Sequence, residues 1–561
     1  MTALRTILLC LALTILLGVP AAHARPATET VVKDDALFLH GSEDEIKTGL
    51  QQARDVGIGR VRLTAGWSVI APAPSLEAVP EGDLSDPAAY PRANWDNLDR
   101  AVRLTVAAGL KPMIDIAFWA PRWAIDGQPG ETTRLRTNID AGQYARFAEA
   151  VARRYGGGYV PPNVIKSAAE AVSQLRPDAN LLDFLFGRRK PPPARAVAAI
   201  APEPALPAVD LFTVWNEPNH PGFLQPQWRR EGGRYVPHSP HLYRALVRAA
   251  YPAIKRGAPD SRVLIGATAS MGSSTAGRSG VPPLLFLRAF ACVDKRLRPV
   301  RSGSCANFEP IPGDGWSHHP YSLRTLPDAL PRDTDKLPVA ATGRLTSTLR
   351  RLVAGGQLAA ANATVYMTEY GYETNPPDPE APFSPAQQGR LLAWAEYLAT
   401  RDPGVVMWPQ FQLRDCPGDP AGPRMRAYGD WQTGLLNADG TPKPAYHEYR
   451  TPGFAACRRR GNRRWIEVWG HVRGTQQPAN VQVQVRTRGA VVAAAEGGWR
   501  TVASSTRARL PGAQAAQAPQ ISAGAATTRL IRWRRGLQVR LHWAGEGARG
   551  ATGAALTATA C

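Results

Sequence analysis

Two glutamates carry the strongest chemical signal in this chain of 561 residues. Glu217 lies in Val214-Trp215-Asn216-Glu217-Pro218-Asn219, and Glu369 in Tyr366-Met367-Thr368-Glu369-Tyr370-Gly371. Each follows a short run of apolar, β-branched or aromatic residues, the composition of a buried strand, and each is soon followed by Pro or Gly, which ends one. Two carboxyl groups on one face can divide acid–base and nucleophilic work. One protonates a leaving oxygen while the other attacks an anomeric carbon or activates water. Taken singly, Asn216-Glu217-Pro218 also reads as a turn and Thr368-Glu369 as a surface acid. The pair means something only if the fold brings together two positions 152 residues apart.

The elements that must do so are legible as a repeat. Arg60–Ala65, Pro112–Phe118, Leu211–Trp215, Arg262–Ala267, Gly315–His319, Thr364–Thr368 and Gly404–Phe411 read as strands, with Leu37–His40 as a short first one. Helical spacing of apolar residues separates them at Glu43–Val56, Trp95–Ala108, His241–Lys255, Leu345–Ala354 and Gln387–Thr400. Eight strand candidates alternating with helices predict an α/β fold, a (β/α)8 TIM barrel over residues 31–452. The C-terminal strand ends of such a barrel converge on one face, where Glu217 and Glu369 would meet.

Two regions break the alternation. Residues 156–208, with Pro161-Pro162 near one end and Pro191-Pro192-Pro193 towards the other, read as an insertion running over the surface. From residue 453 the helical pattern gives way to period-two alternation at Trp465–His471, Val481–Arg486 and Leu537–Trp543, which predicts a small β-sandwich over 453–561. At the other end, Arg5, the apolar Ile7–Leu17 and Ala22-His23-Ala24 have the form of a signal peptide over residues 1–24, so the protein is expected to be secreted or associated with the cell envelope. In an oxidising compartment Cys292 and Cys305 are expected to bridge, Cys457 and Cys561 form a weaker candidate pair, and Cys416 is left over. No cysteine spacing suits structural zinc.

Composition excludes wholesale disorder: 44% of residues are hydrophobic and 20% charged. Lys and Arg number 67 against 46 acids, a formal net charge of +21. That excess suggests an anionic partner. Export and the lack of a reader motif argue against nucleic acid. The run Arg458-Arg459-Arg460 with Arg463-Arg464 leaves an anionic cell-envelope polymer as a candidate partner of the C-terminal segment, against the blander reading of a solvated surface.

The order and setting of the two glutamate motifs resemble the clan A glycoside hydrolases, in which an Asn-Glu pair ends barrel strand four and a second Glu ends strand seven. The family 39 and family 5 branches, and secreted bacterial cellulase-like proteins with a small β domain, are the most similar. The resemblance extends over roughly residues 36–450. It includes Trp95-Asp96 with Asp99, Trp119-Ala120-Pro121-Arg122-Trp123-Ala124, Asp314 with His319-Pro320-Tyr321, and Gly434-Leu435-Leu436 before Lys443-Pro444-Ala445-Tyr446.

It implies a retaining mechanism with carboxyls about 5–5.5 Å apart, Glu217 as acid/base and Glu369 as nucleophile. Asn216 would hold the sugar 2-hydroxyl, Arg62 would bond the nucleophile and keep it ionised, and Tyr321 would donate to it. His319 would line a subsite, and Trp408 would floor the cleft. Trp119 is a stacking candidate, with Trp67, Trp123 and Trp228 weaker ones. The resemblance implies a polysaccharide or oligosaccharide substrate with mostly β-linkages, a monomer, and neither metal nor organic cofactor. A transglycosylase would use the same residues, and a non-catalytic carbohydrate-binding protein on the same barrel is the alternative from another class.

Overall fold

The computed structural model describes residues 28–125, 134–161, 205–273, 279–418, 431–474, 481–487, 499–505, 527–543, 551–553 and 555–557. The expected signal peptide, the middle of the 156–208 insertion and Cys561 lie outside the described residues.

Eight parallel strands close into a barrel. In chain order they are β1 (Glu29–Lys33), β2 (Arg60–Gly66), β3 (Lys111–Ala117), β4 (Leu211–Val214), β7 (Arg262–Ala269), β8 (Trp316–His319), β9 (Val365–Met367) and β10 (Val405–Phe411), and β10 pairs back onto β1. A hairpin, β5 (Trp228–Glu231) with β6 (Arg234–Pro237), is inserted after β4. The described helices are α1 (Asp35–Phe38), α2 (Glu43–Asp55), α3 (Trp67–Ile70), α4 (Asp96–Ala107), α5 (Ala141–Tyr155), α6 (Ser239–Gly257), α7 (Pro283–Phe290), α8 (Thr342–Ala354), α9 (Pro385–Thr400) and α10 (Pro444–Arg450).

Local chemistry accounts for many of these boundaries. Helix α2 opens with a capping box between Ser42 and Glu45 and buries Ile46, Leu50 and Ala53. Helix α9 opens the same way with Ser384 and Gln387, and Pro385 fits its first turn. Gly266 sits at a φ of +102°, and a Cβ there would come within 2.7 Å of Ser317 O and the Trp316 ring, so only glycine fits where β7 meets β8.

One expected strand is corrected. Leu37–His40 is not the first strand: β1 lies earlier, and residues 35–38 form the helical turn α1. The Asp34 carboxylate accepts the Leu37 N–H, a cap that turns the chain away from the barrel as soon as β1 ends. Leu37 and Phe38 are buried, but in the layer between barrel and helices.

The C-terminal segment builds two antiparallel sheets. One is β11 (Gly453–Arg460), β12 (Arg463–Gly470) and β15 (Thr527–Arg532). The other centres on β13 (Val481–Thr487), flanked by β14 (Arg500–Ser505) and β16 (Leu537–Trp543), with β17 (Ala551–Thr552) and β18 (Leu556–Thr557) on β16. Their inner faces share one apolar cluster that includes Ile466, Val468, Val483, Val539 and Leu541. The first sheet sits on α9. Phe454 stacks on Trp394 with ring centroids 5.2 Å apart, and the buried Glu396 takes hydrogen bonds from His471 and Arg473. Cys292 and Cys305 form a disulfide, and Cys416 is not bridged. Among the described residues no helix is long and apolar enough to cross a membrane.

Candidate active site

The C-terminal strand ends gather a compact charged cluster. The first barrel strand supplies Lys33 and the second Arg62, both facing inward by the period-two rule. The third supplies Asp115 and the fourth Thr213. Asn216 and Glu217 follow the fourth strand, His319 ends the sixth with Tyr321 just beyond it, and Glu369 follows the seventh.

Glu369 is held from several sides. Arg62 Nη1 donates to its Oε1 at 2.5 Å, and Lys33 Nζ lies 3.1 Å from the same oxygen. Tyr321 donates its hydroxyl to Oε2 at 3.3 Å. Arg62 also donates to Asp115 at 2.8 Å and to Asn216 Oδ1 at 3.1 Å, so one guanidinium ties three strand ends together. Asp115 in turn accepts the Thr213 hydroxyl and lies 3.8 Å from Lys33. Two cations and two anions therefore nearly balance in a buried space, the condition under which buried charges are tolerated. Burial pushes the Glu369 carboxyl up, but the neighbouring His319, Lys33 and Arg62 outweigh it and hold the group well below the usual carboxylate range. Burial and the neighbouring Glu369 charge push the Tyr321 phenol well above its ordinary value, which keeps it a donor.

Glu217 is set differently. The turn that carries it is wound left-handed, with φ of +63° at Trp215 and +38° at Glu217, conformations that cost a non-glycine residue of order 1–3 kcal/mol each. Packing and hydrogen bonds compensate. The Trp215 indole is fully buried against Tyr144, and the Glu217 N–H donates to Ala267 O at 3.0 Å. The carboxylate reaches the cleft with 14% of its side chain exposed and no Arg or Lys ion pair among the described residues. Its described partner is His319, whose Nδ1 lies 2.9 Å from Glu217 and 3.4 Å from Glu369. His319 Nδ1 sits between the two acids. His319 Nε2 is buried without a partner. Single oxygens of Glu217 and Glu369 and the His319 nitrogen all lie within 4.8 Å of one another.

That spacing would also suit a cation. However, Glu369 Oε1 is already shared by Lys33 and Arg62, whose charges repel a second positive group. The other His and Cys grouping, His241 with Cys292 and Cys305, uses sulfurs committed to the disulfide.

The structure brings Arg62, Asn216, Glu217, His319, Tyr321 and Glu369 together and separates the tryptophans. Trp119 is the exposed one: 38% of it is accessible on the loop after β3, with its indole N–H fixed to Gly222 O at 2.9 Å. Trp408 was expected to floor the cleft, but it has no accessible surface and lies in the layer outside the barrel, its ring 5.1 Å from Tyr370. The reason is parity. Met407 points into the barrel, so its neighbour Trp408 points out. Trp67 is likewise core, stacked on Phe147 and edge-on to Trp123. Trp123 and Trp228 are buried, with their indole N–H groups on Pro72 O and Ser279 O. His318, next to His319, turns instead to Thr268 and Leu337 O, and burial lowers its pKa to about 4, so it stays neutral.

Sequence reasoning missed Lys33, Asp115, Phe411 and Trp431. Trp431 is 39% accessible and stacks on Tyr321 with centroids 5.7 Å apart, while Phe411 meets both rings edge-on. Lys33 had a signal, being a lysine that ends the apolar run Thr30-Val31-Val32. Trp431 had none, since it stands 20 residues beyond the last barrel strand.

No protein-family model matches the chain, and no curated protein matches its sequence. Among solved structures the chain is similar to a glucosidase from Croceicoccus marinus, at 14% identity over 92% of this chain and 95% of that one, with a TM-score of 0.43. It is similar to a GH5_18 from Bifidobacterium longum subsp. infantis, at 13% identity over 76% and 78% of the two chains, TM-score 0.40. It is also similar to the exo-beta-1,4-mannosidase Op5Man5 from Opitutaceae bacterium strain TAV5, at 14% identity over 76% and 59%, TM-score 0.38.

Proposed function

We propose that the protein is a retaining glycoside hydrolase that cleaves an O-glycosidic bond of an oligosaccharide or polysaccharide by double displacement. One observation carries this reading: two carboxylates at the same barrel mouth, with one oxygen of each within 4.8 Å of the other, Glu369 held between Arg62 and Lys33 and Glu217 beside His319. Retaining enzymes keep their carboxyls about 5–5.5 Å apart, whereas inverting ones need about 6.5–9.5 Å to admit a water.

The division of labour follows from the two settings. Glu369, kept anionic by Arg62 and Lys33, attacks the anomeric carbon while Glu217 gives its proton to the leaving oxygen. The first step yields an ester between Glu369 and the sugar, with a free alcohol. Glu217, now a carboxylate, then takes a proton from water, whose oxygen attacks the same carbon and releases Glu369. His319 Nδ1 faces both acids. Asn216 is oriented by Arg62 through its oxygen, which directs its amide towards the sugar 2-hydroxyl. Trp119 and Trp431 offer accessible ring faces on which sugars stack. Tyr321 stays a donor to Glu369, and Trp408 supports the mouth from behind. A signal peptide over residues 1–24 would carry the protein to the cell exterior.

The test is product stereochemistry. Turnover of a panel of aryl glycosides is followed by proton NMR, which should show the newly released sugar first as the anomer of the substrate. Initial release of the opposite anomer would overturn the retaining assignment. Glu369→Ala should abolish turnover, and Glu217→Ala should slow poor leaving groups by roughly 10²–10⁴-fold.

A further inference from the structure

The C-terminal segment differs in charge from the rest of the chain. Residues 453–561 hold 17 Arg, no Lys or Asp and three Glu, so fourteen of the chain's +21 charges fall in this segment. Within the described residues the excess gathers at one end of the β11–β12–β15 sheet. Arg459 stands directly opposite Arg464 across the β11–β12 hairpin. Arg464 lies over the Trp533 ring at 5.2 Å, and Arg532 stands opposite Trp465 on the neighbouring strand. Arg463, Arg464, Arg532, Arg534 and Arg535 are all exposed. The single acid among the described residues of this segment, Glu467, is taken by Arg458, which also bonds Tyr397 of α9.

Like charges facing each other across a hairpin are destabilising, and the core beneath is held by its own apolar cluster. A guanidinium fork matches a carboxylate or sulfate with two parallel hydrogen bonds, and an aromatic ring beside it offers a sugar face a surface. We propose that this end of the sheet docks an acidic polysaccharide, with Arg463 and Arg532 taking its anionic groups on the face that carries Trp465 and with Arg534 and Arg535 extending the charge along the turn beyond the strand. The preference for a glycan over a nucleic acid rests on the glycosidase reading, whereas the charge cluster does not.

The test measures retention of the full chain on immobilised polygalacturonate, on a neutral β-glucan and on duplex DNA, at roughly physiological ionic strength where long-range attraction is screened. The expected result is retention on polygalacturonate, released by added salt, with little on the neutral glucan and less on DNA. The variant combining Arg463→Gln, Arg532→Gln, Arg534→Gln and Arg535→Gln should weaken binding of soluble polygalacturonate by about tenfold or more. Its thermal midpoint and its turnover of small neutral glycosides should not change. Arg534→Gln alone, in an exposed turn, should lose about threefold, so a folding defect in the combined variant would not leave the surface untested. No retention on polygalacturonate, equal retention of parent and variant, or tighter retention on DNA would each overturn the proposal. Failure of the glycosidase reading appears instead as absence of small-glycoside turnover, which this retention does not depend on.

Discussion

The barrel interior contains two layers that differ in almost every respect yet sit two residues apart on the same strands. The lower layer is Val31, Met113, Leu211, Leu264, Tyr366 and Met407, a closed apolar plug. Two positions further along three of those strands stand Lys33, Asp115 and Thr213, and these join Arg62, His319 and Glu369 in the charged mouth. Strand geometry makes the two layers equivalent, since both face inward and both are buried. What differs is the work. The plug fixes the barrel's diameter and excludes water. The mouth holds charges that only mutual pairing makes tolerable, and through that pairing keeps one carboxylate anionic inside a protein.

The contrast can be tested on both sides. Leu211→Ala, in the plug, should cost about 2–5 kcal/mol of stability by leaving a cavity, read as a lower thermal or denaturant midpoint. The surviving folded enzyme should keep its kcat and KM. If kcat fell in proportion to stability, the layers would not be separable.

Lys33→Met, in the mouth, should do the reverse, lowering kcat/KM by about 10–100-fold with a smaller loss of stability. Its sharper signature is in pH. Lys33 helps hold the Glu369 carboxyl below its ordinary value, so removing it lets that value rise, and the acidic limb of the kcat/KM profile should move to higher pH. The same depression links to stability. A lowered carboxyl contributes stability that is present above its unfolded value of 4.5 and lost as pH falls through the lower folded value, so the variant should lose less stability than the parent on acidification. An unmoved acidic limb would mean that Arg62 and His319 set the nucleophile without Lys33.

The smallest expected effect distinguishes two tryptophans. Trp431→Ala should raise KM by about 3–10-fold with little change in midpoint, the value of one stacked aromatic contact. Trp408→Phe, in the outer layer, should lower the midpoint and leave KM alone. The opposite pattern would restore Trp408 as the cleft floor.

Much of this is legible in the sequence. Seven of the eight expected strands coincide with observed barrel strands within a few residues, because alternating β and α segments leave a strong periodic trace. The first strand was misplaced because Leu37–His40 is as apolar as a strand, and only the Asp34 cap, a local hydrogen bond, decides for helix. Glu217 and Glu369 were found because each stands at the break between an apolar run and a turn. Trp408 was misjudged for a physical reason. Parallel strands buried on both faces show no alternation, so composition does not say which side points inward. Lys33 and Asp115 each stand next to apolar residues in short strands, and their pairing with residues far along the chain is a property of barrel closure that no local pattern records.

The central claim is that Glu369 forms a covalent bond with the sugar. It is tested most directly by incubating the protein with the 2-deoxy-2-fluoro analogue of a glycoside it turns over, then mapping the labelled peptide by mass spectrometry. One added sugar is expected, carried on Glu369, reversed slowly by a nucleophilic acceptor and absent in Glu369→Ala. A label on Glu217 or on any other carboxylate, or turnover of the parent glycoside with inversion and no label, would contradict it.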